Sequence, residues 1–179
     1  MSSQHQSDID ILKPETPSAS VTIQDIEDAA DKLEGIAHRT PLIYNELLSE
    51  QYQANIWLKR EDLQVVRSYK IRGAYNMIQS LQEAEMQRGV VCASAGNHAQ
   101  GVAFACRKKG IKGTIFMPVT TPDQKVKQVN MFGREFVDVV LDGDAFDDAF
   151  AHATQFCEET NAVFIPPFDH PKIIAGQGT

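Results

Sequence analysis

Two short segments of this 179-residue chain carry residue types that could do chemistry. The first is Glu61-Asp62-Leu63-Gln64-Val65-Val66-Arg67-Ser68-Tyr69-Lys70, which delivers Lys70 into the first turn of an expected helix. A helix N-terminus favours anions, so a lysine there has the wrong charge. The dipole and burial both disfavour its ammonium, which suits an imine-forming nucleophile or a base. A lysine snorkelling to the surface fits the same spacing. The second segment is Ser94-Ala95-Gly96-Asn97-His98-Ala99-Gln100-Gly101. Ser94 and Asn97 bring donors and acceptors to a helix N-terminus with unpaired backbone N–H groups, an anion nest for a carboxylate or phosphate. Gly96 permits close backbone approach. Gly101 inside a helix costs up to about 1 kcal/mol relative to alanine, which implies a close neighbour. Plain capping by Ser94 or Asn97 also accounts for the local pattern.

Other polar residues are less telling. His98 and His152 fall in expected helices and read as packing or surface histidines. The five histidines show no metal spacing, and HExxH, GxGxxG and Walker loops are absent from the sequence. No Ser, His and Asp set suggests a nucleophilic triad. The tract Pro166-Pro167-Phe168-Asp169-His170-Pro171 follows a strand and suits either a cleft wall or a rigid turn. Cys92, Cys106 and Cys157 are far apart without CxxC spacing, as expected of reduced, buried thiols in an intracellular, cytoplasmic protein.

The elements that must position these segments are legible from periodicity. Residues 1–20 are polar and read as a loosely ordered lead-in. Thr22 with Asp25 opens a helix striped by Ile26, Ala29, Ala30 and Leu33, and Gly35 ends it. Residues 39–42 form an extended connector, 45–53 a short helix and 55–59 a strand. Ser68 is expected to cap one long helix running to about residue 88. Strands are expected at 90–93, 114–117, 136–141 and 163–165. Helices are expected at 97–109, from Thr121-Pro122-Asp123-Gln124 to Gly133, and at 145–159. From residue 55 the order is β-α-β-α-β-α-β-α-β. Short, apolar strands separated by helices imply an α/β fold: three αβα layers around a mainly parallel sheet. The chain ends Ile173-Ile174-Ala175-Gly176-Gln177-Gly178-Thr179, where Gly178-Thr179 reads as a loop before an unwritten helix.

Composition narrows the function class. The net charge is −7, from 17 Lys+Arg and 24 Asp+Glu, and the basic runs are short. That argues against a nucleic-acid binder, which needs a concentrated basic face. No apolar run approaches the ~20 residues of a membrane helix, and no signal stretch opens the chain.

The motifs together resemble one family. Leu58-Lys59-Arg60-Glu61-Asp62-Leu63-Gln64, followed by Arg67-Ser68-Tyr69-Lys70-Ile71-Arg72-Gly73-Ala74-Tyr75, resembles the cofactor-lysine segment of pyridoxal-phosphate threonine dehydratases (threonine ammonia-lyases) of fold type II, related to tryptophan synthase β. The 94–101 segment is similar to their second signature. Phe116-Met117-Pro118, Lys125-x-x-Gln128, and Pro167-Phe168-Asp169 through Gly176-Gln177-Gly178-Thr179 match as well. The resemblance covers about residues 23–179.

It implies pyridoxal 5'-phosphate as cofactor, with Lys70 as the lysine that joins it and then acts as base at the substrate Cα. Asn97 matches the residue that hydrogen-bonds the cofactor's 3-oxygen. Tyr69 stands beside the ring where many members have Phe. Ser94, Gly96, Asn97 and His98 lie where the family binds the substrate carboxylate. The implied reaction converts L-threonine to 2-oxobutanoate and ammonia, the first step of isoleucine biosynthesis; serine would give pyruvate. A catabolic serine/threonine dehydratase and a serine racemase are the neighbouring readings. Racemases tend to carry a serine where this chain has Ala95, so the resemblance favours elimination.

The resemblance also implies a small α/β domain over residues 60–155, with 21–59 and 156–179 belonging to a partial large domain. The cofactor's glycine-rich phosphate loop and a C-terminal regulatory domain are expected beyond Thr179, so a piece of this length is expected to be incomplete and could be inactive alone. The full-length protein is expected to take a small amino-acid substrate and to form a homo-oligomer.

Overall fold

The computed structural model describes residues 20–179. The polar lead-in expected over residues 1–20 therefore lies, except for residue 20, outside the described residues. Helix α1 (Ile23–Lys32) starts as its sequence dictates. The Thr22 hydroxyl accepts from the Asp25 N–H at 3.2 Å, and the Asp25 carboxylate accepts from the Thr22 N–H at 2.9 Å. This capping box satisfies donors that helix geometry leaves unpaired.

The first expected strand does not join the parallel sheet. Strand β1 (Leu42–Tyr44), helix α2 (Glu46–Tyr52) and strand β2 (Trp57–Lys59) form a separate ribbon, with β1 and β2 antiparallel and Ile43 opposite Leu58. Residues 39–42 are thus only partly a connector, since β1 begins at Leu42. Both three-residue strands are exposed throughout, so neither has the buried faces of a central parallel strand. Tyr44 and Trp57 meet edge to face at 5.2 Å and hold the register.

The expected long helix is two helices, α3 (Lys70–Gln79) and α4 (Glu83–Arg88). The Ser80 hydroxyl donates back to the Asn76 carbonyl at 2.7 Å as α3 ends. Gln82 then takes an extended conformation, and its N–H donates to the Glu85 carboxylate at 2.7 Å, opening a new helix. Ser68 does not cap α3. Tyr69 occupies the N-cap position without a side-chain bond, and the Ser68 hydroxyl is buried without a partner.

The main sheet holds β3 (Val90–Ala93), β4 (Gly113–Met117), β5 (Val137–Leu141) and β6 (Val163–Phe164), all parallel, in the order β5-β4-β3-β6. Side chains alternate faces as strand geometry requires. Val90, Cys92, Ile115 and Met117 face a core shared with α3 and with α5 (Asn97–Lys109). Val91, Ala93 and Phe116 face Ala149 and Ala153 of α7 (Phe146–Thr160). This is the three-layer α/β architecture expected. Cys92 and Cys106 are buried and Cys157 half-buried, all free thiols; burial pushes Cys106 up to about 12 and Cys157 up to about 11.

Two helix starts differ in detail. Helix α6 (Asp123–Gly133) has Pro122 rather than Thr121 at its N-cap. Thr121 is spent on a turn, its N–H donating to the Pro118 carbonyl at 2.9 Å, and its hydroxyl is buried without a partner. The residues ahead of Gly178-Thr179 form α8 (Pro171–Gln177), a helix not expected from the sequence pattern. Pro171 at its first position needs no N–H partner, and the His170 ring accepts from the Lys172 N–H at 3.1 Å. Helix α8 rests on α3 through glycines: a Cβ on Gly176 would come within 2.7 Å of both the Arg72 carbonyl oxygen and the Gly73 Cα.

Candidate active site

The strand order reverses at the β3–β6 pair. In parallel α/β sheets, ligands bind in the crevice at the carboxyl ends of such strands. The 94–97 loop leaves β3 there, and the 166–169 turn follows β6 one residue beyond Ile165.

Lys70 opens α3 with a buried side chain. Its Nζ donates to the Pro167 carbonyl at 2.7 Å. The same atom lies 4.2 Å from the centre of the Phe168 ring and 5.3 Å from that of Tyr69. Among the described residues no carboxylate forms an ion pair with it. Burial holds its pKa below the ordinary lysine value. A cation with only a carbonyl and two ring faces for company gives up its proton more easily than a paired one. The surface-snorkelling alternative therefore does not describe Lys70.

The 94–97 loop is built as an open cup. The Ser94 N–H continues the sheet to the Phe116 carbonyl at 3.0 Å, and its hydroxyl accepts from the Gly96 N–H at 3.2 Å. Helix α5 begins at Asn97 with Gly96 at its N-cap and no side-chain cap, so plain capping is not what Ser94 and Asn97 do. A Cβ on Gly96 would meet nothing within 4 Å, so space stands open beside this backbone. Asn97 is exposed. Gly101, one turn further on, answers the question its cost raised: a Cβ there would approach the Lys70 carbonyl oxygen to 3.0 Å. The cup and the lysine are thus set side by side by one helix crossing.

His98 is placed differently from its neighbours. Its side chain is buried, and Nε2 lies 2.9 Å from the Ile165 carbonyl oxygen. A carbonyl only accepts, so Nε2 carries the proton. Burial lowers its pKa to about 4; the Ile165 bond opposes this and the Lys70 charge adds to it. Only the main chain of His98 remains at the mouth of the helix.

Two groups of site residues were not singled out by their sequence pattern. One is the pair Pro167 and Phe168, which lie in a proline-rich tract and in a segment of the family resemblance but were given no role. The other anchors α3 from behind. Arg72 donates Nε to Glu61 Oε2 at 2.8 Å and a terminal nitrogen to Glu61 Oε1 at 2.9 Å. It also reaches the His38 carbonyl and the Thr179 hydroxyl, both at 3.0 Å. Burial would raise the Glu61 carboxyl, but hydrogen bonds from Arg72, Thr40 and Gln64, with the Arg72 charge, hold it down at about 2. An open concavity of about 790 Å³ lies along this network, lined in part by Leu33, His38, Lys59 and Arg72, and does not include Lys70.

Among the described residues no helix is long and apolar enough to cross a membrane, and no cluster of His, Cys, Asp and Glu side chains could hold a metal ion.

Residues 33–179 match the model of the family described as "Pyridoxal-phosphate dependent enzyme". The chain is 54% identical over 159 residues to the L-threonine dehydratase biosynthetic IlvA of Bacillus subtilis, covering 89% of this chain and 38% of that protein. It spans about two-fifths of the length of the curated relatives it matches. Among solved structures it superposes on the processed threonine deaminase isoform 2 of Solanum lycopersicum with a TM-score of 0.80 at 42% identity, covering 92% of this chain and 45% of that one. Maize serine racemase gives a TM-score of 0.81 at 30% identity, covering 87% and 46%. With the family pattern spread over all but the first 32 residues, and with a buried lysine beside an open helix N-terminus, the chain belongs to the pyridoxal-phosphate dependent enzymes.

Proposed function

We propose that this chain carries the lysine and carboxylate-binding side of a threonine dehydratase, which converts L-threonine to 2-oxobutanoate and ammonia in isoleucine biosynthesis in the cytoplasm. The observation that carries the reading is Lys70 Nζ, buried, unpaired with any described carboxylate, and held on the Pro167 carbonyl. The names of the relatives support the substrate. The residues present fit pyridoxal phosphate: an amine of lowered pKa, an aromatic ring at Tyr69, and open space where Gly96 lacks a Cβ.

When bound, the cofactor supplies an aldehyde for Lys70 and a ring that draws electrons from the substrate Cα. Lys70 would hold the cofactor covalently and would be the base for the substrate Cα proton. Its lowered pKa leaves more neutral amine for both tasks. Asn97 would donate to the cofactor's 3-oxygen, and Tyr69 would flank its ring. Ser94, Gly96, Asn97 and the main chain of His98 receive the substrate carboxylate at the positive end of α5. The hydroxyl leaves the β-carbon as water, and water is taken up again as ammonia departs, so threonine and products balance. Residues 60–155 form the small domain, 21–59 and 156–179 belong to the large one, and the full-length protein is a homo-oligomer.

Serine racemase is the second reading, favoured by the fold match to the maize enzyme. Ala95 speaks against it, because a methyl group cannot donate a proton to the second face of Cα. The test is turnover with pyridoxal phosphate present. The dehydratase reading expects 2-oxobutanoate from L-threonine and its loss in Lys70→Ala. D-serine from L-serine without 2-oxobutanoate would favour the racemase, and a Lys70→Ala variant as active as the wild type would contradict both.

A further inference from the structure

We propose that His98 is a positioning residue for Lys70: through the Ile165 carbonyl it fixes the turn whose Pro167 carbonyl receives the lysine amine. The proposal rests on Lys70 being the cofactor lysine, and it gives the His98 side chain a task away from the substrate carboxylate.

The chain of contacts is continuous. His98 Nε2–H donates to the Ile165 carbonyl at 2.9 Å. Ile165 is fully buried, and its N–H donates to the Val91 carbonyl at 2.7 Å, the last rung joining this segment to β3. Strand β6 stops at Phe164, so the sheet offers the Ile165 carbonyl no further rung; the imidazole supplies the donor. Two residues on, the Pro167 carbonyl accepts from Lys70 Nζ at 2.7 Å. The intervening Pro166 and Pro167 have fixed φ, so displacement at Ile165 is passed on rather than absorbed. At its far end the turn is tied by the His170 N–H to the Phe168 carbonyl at 3.2 Å and by the His170 ring to α8. The turn is held at both ends, and His98 holds the end nearer the sheet.

Position matters here because Lys70 Nζ has one hydrogen-bond acceptor among the described residues, and that acceptor is main chain. A shift of the turn redirects the amine. Misplacement of about 1 Å can cost on the order of a hundredfold in rate. Ring protonation adds a proton at Nδ1 and leaves Nε2–H in place, so the donor to Ile165 is kept across pH.

The test compares pyridoxal phosphate capture by the full chain with capture by its His98→Gln and His98→Leu variants, following growth of the imine absorption across pH. Glutamine keeps an N–H donor; leucine keeps bulk without one. The expected result is capture slowed by about tenfold or more in His98→Leu, with a displaced pH profile, and recovery towards the wild-type rate in His98→Gln. Equal rates in all three, or glutamine as slow as leucine, would overturn the proposal. Should the leucine variant fail to fold, ring nitrogen NMR of the wild type decides. An Nε2 that carries its proton near neutral pH supports the tether, and a neutral ring protonated at Nδ1 alone refutes it. A wild-type chain that captures no pyridoxal phosphate while showing the Nε2–H tautomer would count against the role of Lys70, not against the His98 tether.

Discussion

Gly101 lies against the main chain of Lys70. A Cβ added at Gly101 would stand 3.0 Å from the Lys70 carbonyl oxygen and 3.3 Å from the Ile71 nitrogen. Helices α3 and α5 therefore meet on a glycine, and that crossing sets the start of α3 beside the open end of α5. Gly101→Ala gains up to about 1 kcal/mol of helix propensity. Against this, overpacking costs about 1–3 kcal/mol. The expected net loss is about 1 kcal/mol by urea denaturation, with Gly101→Val worse because its branched side chain meets the same backbone.

The pair Glu61 and Arg72 is expected to dominate the response to strong acid. Its side chains are only 15% and 9% exposed. Replacing Arg72 with Met leaves the carboxylate buried without its partner, which costs about 3–5 kcal/mol. The folded-state carboxyl sits at about 2, below its ordinary 4.5. Its stabilisation is thus complete above about pH 4.5 and drains as pH falls towards about 2. Urea titrations at a series of pH values should show this limb in the wild type and a flattened limb in Glu61→Gln.

His98 governs a higher pH window. Its pKa is about 4 in the fold and 6.5 ordinarily, so the unfolded chain takes up a proton first. Stability is full above about 6.5 and falls as pH drops towards about 4, by up to about 3 kcal/mol. His170, also lowered by burial, adds to the same window. The loss over this range should be smaller in His98→Gln, while the limb assigned to Glu61 persists.

Gly176 tests whether α8 supports the site. An alanine there would place its Cβ 2.7 Å from the Arg72 carbonyl oxygen and from the Gly73 Cα, both backbone atoms. Neither can rotate away, so the loss should exceed that of Gly101→Ala and approach about 3 kcal/mol. Hydrogen exchange should quicken across α8 first. Capture of pyridoxal phosphate at Lys70 should slow with it, because His170 ties α8 to the turn beneath the amine.

Much of this arrangement is legible in the residues. The parallel sheet shows in the short apolar runs around Val91, Ile115 and Val139, and Gly101 announces a close neighbour by its cost inside a helix. What periodicity misses depends on partners distant in sequence. Trp57 reads as a sheet strand, yet its partner is Tyr44 in a ribbon apart. The helix after Lys70 breaks at Ser80 because a side chain bonds back to the main chain, which an apolar stripe does not reveal. Pro167 contributes a carbonyl, a group that every residue has, so nothing in its side chain marks it as the acceptor for Lys70. The buried ring of His98 is hidden for the same reason, since its partner is the main chain of Ile165, 67 residues away.

Everything proposed for this site depends on Lys70 being the cofactor lysine. That role is tested most directly by adding pyridoxal phosphate, reducing with borohydride and mapping the mark by peptide mass spectrometry. The expected result is a pyridoxyl group on Lys70, with Lys70→Ala left unmarked there and elsewhere. A mark spread over exposed lysines such as Lys108, or an unmarked Lys70 in the folded chain, would contradict it.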